Sequence, residues 1–372
     1  MSARVVLAAG GTGGHMFPAV AVESELRRRG LRPLIVCDRR GARFLDPSTA
    51  HRTVSAASPS GGLRRRIGGS LRLLLGTLES VVLLLRDRPR AALCFGGYAA
   101  LPVAVAARVL GVPVVVHEQN AVLGRTNRLA GGGAAALALT FEDTSGMPNR
   151  PNGRCVITGN PVRPEVQALA GAAYAAPDRD GPFRLVVVGG SQGARSLSEV
   201  VPEAIAALGE DLRARLVLTQ QCRPEDLTRV RAAYHRIGLE ASLASFFVDL
   251  PERLATAHLV ISRSGASSVA ELLVLGRPSI LVPYRHAADD HQRANAEALV
   301  LAGAAWILPE DELDSRKLAR LLEQLTRSPD RLAGAARRAQ ELARPDAASA
   351  LADVLIPLLD GRAATGDREV LA

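Results

Sequence analysis

Arg4-Val5-Val6-Leu7-Ala8-Ala9 runs into Gly10-Gly11-Thr12-Gly13-Gly14-His15, and Arg184-Leu185-Val186-Val187-Val188 runs into Gly189-Gly190-Ser191-Gln192-Gly193-Ala194-Arg195. In each, an apolar run of buried-strand type breaks at a glycine-rich turn and resumes with helical spacing. That plan predicts two Rossmann-like domains facing one cleft. Glycine accepts positive φ and lets backbone N–H groups close on an anion at the positive end of a helix, so two such loops imply two phosphate-bearing ligands.

The 372 residues exceed what one core usually serves. With 48% hydrophobic but only 3% aromatic residues, the cores must be built from Val, Leu, Ala and Ile, as expected of parallel strands covered by helices. The net charge of +9 favours anionic partners. Nucleic acid is not expected among them, because the arginines are spread along the chain and not interleaved with aromatic stacking platforms. Cys37, Cys94, Cys155 and Cys222 form no CxxC pair and read as buried free thiols. The N-terminus enters a strand without a basic and apolar leader, which points to a cytoplasmic compartment. The uncharged run 91–107 is divided by Gly96-Gly97 and Pro102 into strand, loop and helix, so no membrane span is expected there.

Strand candidates at 3–8, 33–37, 91–95, 112–117 and 134–139 alternate with helical patterns near 18–29, 70–87, 99–110 and 124–130. The alternation resumes with strands near 183–188, 214–219, 243–247, 258–262, 279–282 and 304–308. Between the halves an Ala/Gly/Pro/Asp-rich stretch reads as a loose linker. The expected division is a first domain over 1–165, a linker over 166–182 and a second domain over 183–345. Pro345 and Pro357 interrupt the tail, so the last helix, 346–360, can turn back onto the first domain.

Gly10-Gly11-Thr12-Gly13-Gly14 does not keep the GxGxxG spacing of a dinucleotide loop, and Asp38 only approaches the place of the acid that would close the second strand on a ribose. In the second half, Ser262-Arg263-Ser264-Gly265-Ala266-Ser267-Ser268 follows an apolar strand and opens a helix with Glu271 on its second turn. The unsatisfied N–H groups of 265–268, with a helix-end charge of roughly +0.5, can hold a diphosphate, and Glu271 can accept from ribose hydroxyls. The same stretch also reads as an ordinary Ser-capped helix.

Further motifs follow in order: Pro18, Gly96-Gly97-Tyr98, His117-Glu118-Gln119-Asn120, Thr126-Asn127, Gly159-Asn160-Pro161-Val162-Arg163, and His291-Gln292 with Asn295-Ala296. Together with the glycine loops and Arg263-Ser264-Gly265-Ala266 and Glu271, the chain resembles the MurG family, bacterial glycosyltransferases of family 28 in the two-domain GT-B class. The resemblance implies an α/β GT-B fold, with parallel sheets in two Rossmann-like domains facing a central cleft. It implies inverting transfer of N-acetylglucosamine from UDP to the C4 hydroxyl of the muramyl sugar of an undecaprenyl-diphosphate-linked muramoyl-pentapeptide (lipid I to lipid II). This is a step of peptidoglycan synthesis at the cytoplasmic membrane face, with no cofactor.

By the same resemblance, Ser191, Arg163, Ser267, Ser268, Glu271 and Gln292 contact the UDP-sugar, with Gly265 and Ala266 at its diphosphate. The uracil lies against backbone near Phe247, and Arg163 stands close to the base. Thr12, Gly13, Gly14 and Asn120 close over the sugar, while Gly10, Gly11, Gly96, Gly97 and Tyr98 receive the acceptor diphosphate. Two places depart from the family pattern near the presumed uracil region: His258 stands where an acid is common, and Leu250-Pro251 replaces part of an acidic loop. They leave open a paralogue serving phosphoglycolipid antibiotic synthesis, and the architecture leaves open a UDP-N-acetylglucosamine 2-epimerase.

Inversion needs one general base. His15 is the candidate, since it ends a glycine loop and an unperturbed imidazole titrates near neutral pH; its alternative is a phosphate- or sugar-binding group. Glu118 is the reserve. Asp289-Asp290 suggests a metal pair, but adjacent carboxylates diverge on a helix and also serve as caps, so no required metal is expected.

Between residues 61 and 90, Arg64, Arg65, Arg66, Arg72, Arg86, Arg88 and Arg90 face only Glu79 and Asp87. Spacing predicts a core stripe at Leu71, Leu74, Leu75, Leu78, Val82 and Leu85, with Leu73, Val81 and Leu84 left as excess apolar surface. Contact with an anionic membrane surface through Arg64, Arg65, Arg66, Leu71, Arg72 and Leu75 would use that excess; a helix buried on both sides is the alternative.

Overall fold

The computed structural model describes residues 4–58, 62–148, 153–190 and 194–360. The described residues form two compact units, one drawn from Met1–Arg163 with Pro345–Ala372 and the other from Pro164–Arg344.

In the first unit seven strands, β1 (Arg4–Ala8), β2 (Arg32–Cys37), β3 (His51–Thr53), β4 (Ala91–Cys94), β5 (Val114–Glu118), β6 (Ala136–Leu139) and β7 (Arg154–Ile157), pair in the order β3-β2-β1-β4-β5-β6-β7. Every pairing is parallel. Helices α1 (Gly13–Arg28), α2 (Leu63–Asp87), α3 (Ala100–Val109) and α4 (Arg125–Gly131) make the crossovers among these strands. The central strands are buried on both faces, so they read as continuous apolar runs. The edge strands β3 and β7 are absent from the sequence reading, because partly exposed residues such as Arg52 and Arg154 replace the apolar signal there. Cys155 sits on that exposed edge, whereas Cys37, Cys94 and Cys222 are buried as expected.

The second unit has six parallel strands, β8 (Phe183–Val188), β9 (Leu216–Gln221), β10 (Ala241–Ala244), β11 (Leu259–Ser262), β12 (Ser279–Leu281) and β13 (Ala305–Ile307), in the order β10-β9-β8-β11-β12-β13. Its helices are α5 (Pro164–Gln167), α6 (Arg195–Ala206), α7 (Glu210–Ala214), α8 (Leu227–Arg236), α9 (Leu250–Ala255), α10 (Ala266–Leu275), α11 (His291–Leu301), α12 (Ser315–Thr326) and α13 (Pro329–Leu342).

The last helix among the described residues is α14 (Ala347–Leu359), which belongs to the first unit. Leu351, Ala352, Val354, Leu355 and Leu359 join the core built on Val5, Leu7, Met16, Val22 and Leu26, and Arg29 of the α1 C-terminus pairs with Asp353.

The stretch 166–182 does not behave as a free linker. α5 packs on α10, and the buried Arg277 guanidinium donates to Ala172 O at 3.1 Å and lies 5.3 Å from the Tyr174 ring centroid. Tyr174 Oη donates to His258 O at 2.8 Å, and His258 Nδ1 accepts from Arg184 N at 3.0 Å. The departure at His258 is thus a packing feature of this strap, and Pro251 occupies the first turn of α9.

Helix α2 turns the opposite face inward from the one its spacing predicts. Leu71, Leu74, Leu75, Leu78, Val82 and Leu85 are exposed, and so are Leu63 and Ile67, while Gly69, Gly76, Ser80 and Leu84 are buried. Both faces carry helical spacing, so periodicity alone cannot choose between them. Close approach chooses: a Cβ on Gly76 would lie 1.9 Å from Ser55 O, and Ser55 N and Oγ donate to the Glu79 carboxylate at 2.6 and 2.9 Å. By length and composition α2 could cross a membrane, but this small-residue face fixes it to the unit beside α3. Gly76→Ala should therefore lower the urea midpoint, with overpacking against a fixed carbonyl costing about 1–3 kcal/mol despite alanine's better helix propensity.

Candidate active site

Ligands of open parallel sheets bind where the strand order reverses, beyond the carboxyl ends of the strands. In the first unit that point lies between β1 and β4, and the loops leaving those strands are Gly10–Gly14 and Gly96–Tyr98. They touch backbone to backbone: a Cβ on Gly97 (φ +75°) would lie 2.9 Å from Gly10 Cα. No larger residue fits at that approach. α1 starts at Gly13 with no acid in its first turn, and its N-cap Thr12 makes no side-chain cap.

His15 Nδ1 lies 3.0 Å from Gly10 O and 3.1 Å from Thr12 Oγ1. A carbonyl only accepts, so Nδ1 carries a proton, and in the neutral imidazole Nε2 is then the lone-pair nitrogen. A Cβ on Gly96 would meet His15 Nε2 at 3.3 Å and Asn127 Oδ1 at 3.2 Å, which brings both side chains to the Gly96 loop. Arg163 stands over the Phe17 ring of α1 at 5.9 Å.

Glu118, the reserve base candidate, is held within its own loop. Its Oε1 accepts from Asn120 N and Asn120 Nδ2, both at 3.0 Å, and its Oε2 accepts from Gly124 N and Asn127 Nδ2, both at 2.8 Å. Buried with four donors, this carboxylate shapes the loop that carries Asn120. Asp38 is likewise occupied, by Gly11 N at 3.1 Å, Gly41 N at 2.8 Å and the Arg40 guanidinium at 2.9 Å. It holds the glycine loop and is not open to the ribose of a dinucleotide.

The second unit reverses between β8 and β11, whose loops are Gly189–Ala194 and Arg263–Gly265. Ser191, with Gln192 and Gly193, lies outside the described residues. Gly265 is the N-cap of α10 with no side-chain cap, and the buried Ser267 Oγ has no hydrogen-bond partner. Glu271 is buried one turn further on.

Ser264 Oγ donates to Gln292 O at 2.7 Å, Asn295 Nδ2 donates to Ser264 O at 3.0 Å, and Tyr284 N donates to Gln292 Oε1 at 3.0 Å. The Gln292 side chain is thereby held with its amide nitrogen directed away from Tyr284. Phe247 is buried under Arg253, 4.7 Å from its ring centroid. Asp290 forms an ion pair with Arg293 at 3.2 Å, and Asp289 and Asp290 both adopt positive φ at the head of α11.

Three residues in these networks carry no assigned role in the sequence reading. Asn127 and Arg263 lie within the motifs, but Glu310 has no motif and only its place just beyond β13 marks it. Its Oε1 accepts from Arg263 and Ser196, and its Oε2 from Arg285 N. Burial alone would raise the pKa of this carboxyl; the donors from Arg263, Ser196 and Arg285 outweigh it and hold the group below the usual carboxylate range.

The glycosyltransferase family 28 N-terminal domain matches residues 5–138, and the family 28 C-terminal domain matches residues 184–351. Two parallel sheets with uncapped helix starts at their reversal points, matched in this way, are those of a GT-B glycosyltransferase. The chain is 49% identical to the UDP-N-acetylglucosamine–N-acetylmuramyl-(pentapeptide) pyrophosphoryl-undecaprenol N-acetylglucosamine transferase of Rhodospirillum centenum, over 95% of this chain and 94% of that one. The crystal structure of Acinetobacter baumannii MurG superposes with a TM-score of 0.80 at 28% identity, covering 96% of this chain and 99% of that one. The chain belongs to this transferase family, the MurG family. A UDP-GlcNAc 2-epimerase from Neisseria meningitidis shares the fold alone, with a TM-score of 0.65 at 14% identity over 95% of this chain and 99% of that one.

Behind the Asn120 loop, burial lowers the His117 pKa to about 4, against the opposing hydrogen bond to Gly159 O at 2.9 Å. An unfolded histidine titrates near 6.5, so the folded unit binds fewer protons between these values and loses stability as pH falls from about 6.5 to about 4. The gap in urea midpoint between wild type and His117→Asn should therefore narrow over that range, by up to about 3 kcal/mol in stability. A gap independent of pH would refute a buried neutral His117.

Proposed function

We propose that this chain transfers N-acetylglucosamine from UDP-N-acetylglucosamine to the C4 hydroxyl of the muramyl sugar of the undecaprenyl-diphosphate-linked pentapeptide, converting lipid I to lipid II in peptidoglycan synthesis. The observation that carries the reading is the pair of reversal points, each with an uncapped helix start, in a chain 49% identical to a transferase named for that reaction. The α10 start, with Ser267 and Glu271, takes UDP; the Gly10–Gly14 and Gly96–Tyr98 loops take the acceptor diphosphate. Attack on the anomeric carbon inverts it as the C1–O bond to UDP breaks. His15 Nε2 takes the proton of the attacking hydroxyl, and the α10 N-terminus stabilises the charge that develops on the departing diphosphate. That stabilisation does the work a divalent metal does in other transferases, and Asp290 is engaged with Arg293.

With labelled UDP-N-acetylglucosamine and a short-chain lipid I, label should move to lipid equally with and without EDTA. His15→Ala should lower kcat by about 10²–10⁴-fold. Label recovered as the manno epimer, or an unchanged kcat in the variant, would overturn the respective assignment.

The α2 surface supports a peripheral site on the cytoplasmic face of the membrane. Both acids of the helix turn to protein partners, Glu79 to Ser55 and Asp87 to Arg4. The exposed leucines are then flanked only by positive charge, from Arg64, Arg65, Arg66, Arg72 and Arg86. A helix with its apolar stripe outward and arginines at both ends suits the plane of an anionic interface. At about 1 kcal/mol for each arginine, the Arg64/Arg65/Arg66→Glu variant should bind anionic vesicles at least roughly a hundredfold more weakly in flotation. Binding equal to wild type would place the contact elsewhere.

A further inference from the structure

Three segments that carry donor-site motifs meet at a carboxylate belonging to none of them. Glu310 lies just past β13. Its Oε1 accepts from Ser196 Oγ at 2.7 Å and from the Arg263 guanidinium, and its Oε2 accepts from Arg285 N at 3.1 Å. Ser196 is on the first turn of α6, after the Gly189-Gly190 loop. Arg263 lies between β11 and the start of α10. Arg285 follows Tyr284, whose N–H holds Gln292 Oε1. Arg263 is itself committed to protein: it donates to Val282 O at 3.1 Å, Pro283 O at 3.3 Å and Ser196 Oγ at 3.0 Å, and lies 5.4 Å from the Tyr284 ring centroid.

We infer that Glu310 is a positioning residue for the UDP-sugar, acting through Arg263, Ser196 and Arg285 to hold the α6 start, the α10 start and the Tyr284–Gln292 loop in one arrangement. The inference rests on the assignment of UDP to α10. A diphosphate bound by N–H groups and side chains from separate segments needs them in register before it arrives, because ordering them on binding subtracts from affinity. A buried carboxylate bridging all three supplies that register. Removing it leaves Arg263 without its anionic partner, and the segments lose their common anchor.

The test is steady-state kinetics of the full-length chain with both substrates varied, together with UDP calorimetry. Glu310→Ala should raise the KM for UDP-N-acetylglucosamine and the Kd for UDP about tenfold or more, with the KM for the lipid acceptor within about twofold of wild type. Glu310→Gln, which keeps one acceptor oxygen, should recover part of the loss. Arg277→Gln is the control for stability alone, because its guanidinium binds carbonyls of Leu275 and Ala172 away from this cluster. It should lower the melting temperature and leave the KM for UDP-N-acetylglucosamine within about twofold.

An unchanged KM in Glu310→Ala overturns the inference, and so does a KM that rises equally in Arg277→Gln. Glu271→Ala separates the two levels. If it weakens UDP binding while Glu310→Ala does not, the positioning role alone fails. If neither variant affects UDP, the donor-site assignment fails and this inference with it.

Discussion

A parallel strand hands its chain to a helix whose first-turn N–H groups have no partner, and where the winding of a sheet reverses, two such turns stand side by side with no crossover covering them. Each unit has one such place, β1/β4 in the first and β8/β11 in the second. Topology thus places these turns before any particular side chain is chosen, and the side chains then adapt to it. At β1/β4 the two loops approach so closely that Gly10 and Gly97 touch through backbone, which dictates glycine on both sides. At β8/β11 the described turn is Ser264-Gly265-Ala266-Ser267, small residues again.

The doubly buried strands were legible because burial on both faces writes an unbroken apolar run, as in Val5–Ala8 and Val114–Val116. Edge strands write no such run, and β3 with His51-Arg52-Thr53 is invisible to hydropathy. Helix α2 was misread for a deeper reason. Leucine at helical spacing normally marks the buried face, but a helix pressed against a backbone carbonyl must offer glycine and serine there, and its leucines are left to face outward. Gly69, Gly76 and Ser80 recur with helical spacing in the sequence, so the signal was present; it was carried by absence of volume instead of hydrophobicity.

The candidate site was legible where chemistry demands a special backbone, and illegible where it depends on a distant partner. Gly10–Gly14, Gly96-Gly97 and Gly265 announce themselves through residue type, and His15 through its place at the end of a loop. No spacing rule relates Glu310 to Arg263 or Asp38 to Gly11, since each pair is joined only by strand order. The loose composition of 171–182 concealed a fixed strap for the same reason, because Arg277 lies more than a hundred residues from the carbonyl it binds.

Acidic residues at the carboxyl ends of parallel strands, where ligands of such sheets bind, pose an electrostatic difficulty, and the structure meets it in one consistent way. Asp38, Glu118 and Glu310 all lie at or beyond the carboxyl end of a strand, on the side where anions bind, and none is left as a bare charge. Asp38 carries Arg40 and two backbone N–H groups, Glu118 accepts from four donors, and Glu310 is matched by Arg263. Hydrogen bonds to a carboxylate are roughly twice as strong as neutral ones, so each acid fixes its loop more firmly than an amide would, and at Asp38 and Glu310 an arginine also offsets the negative charge.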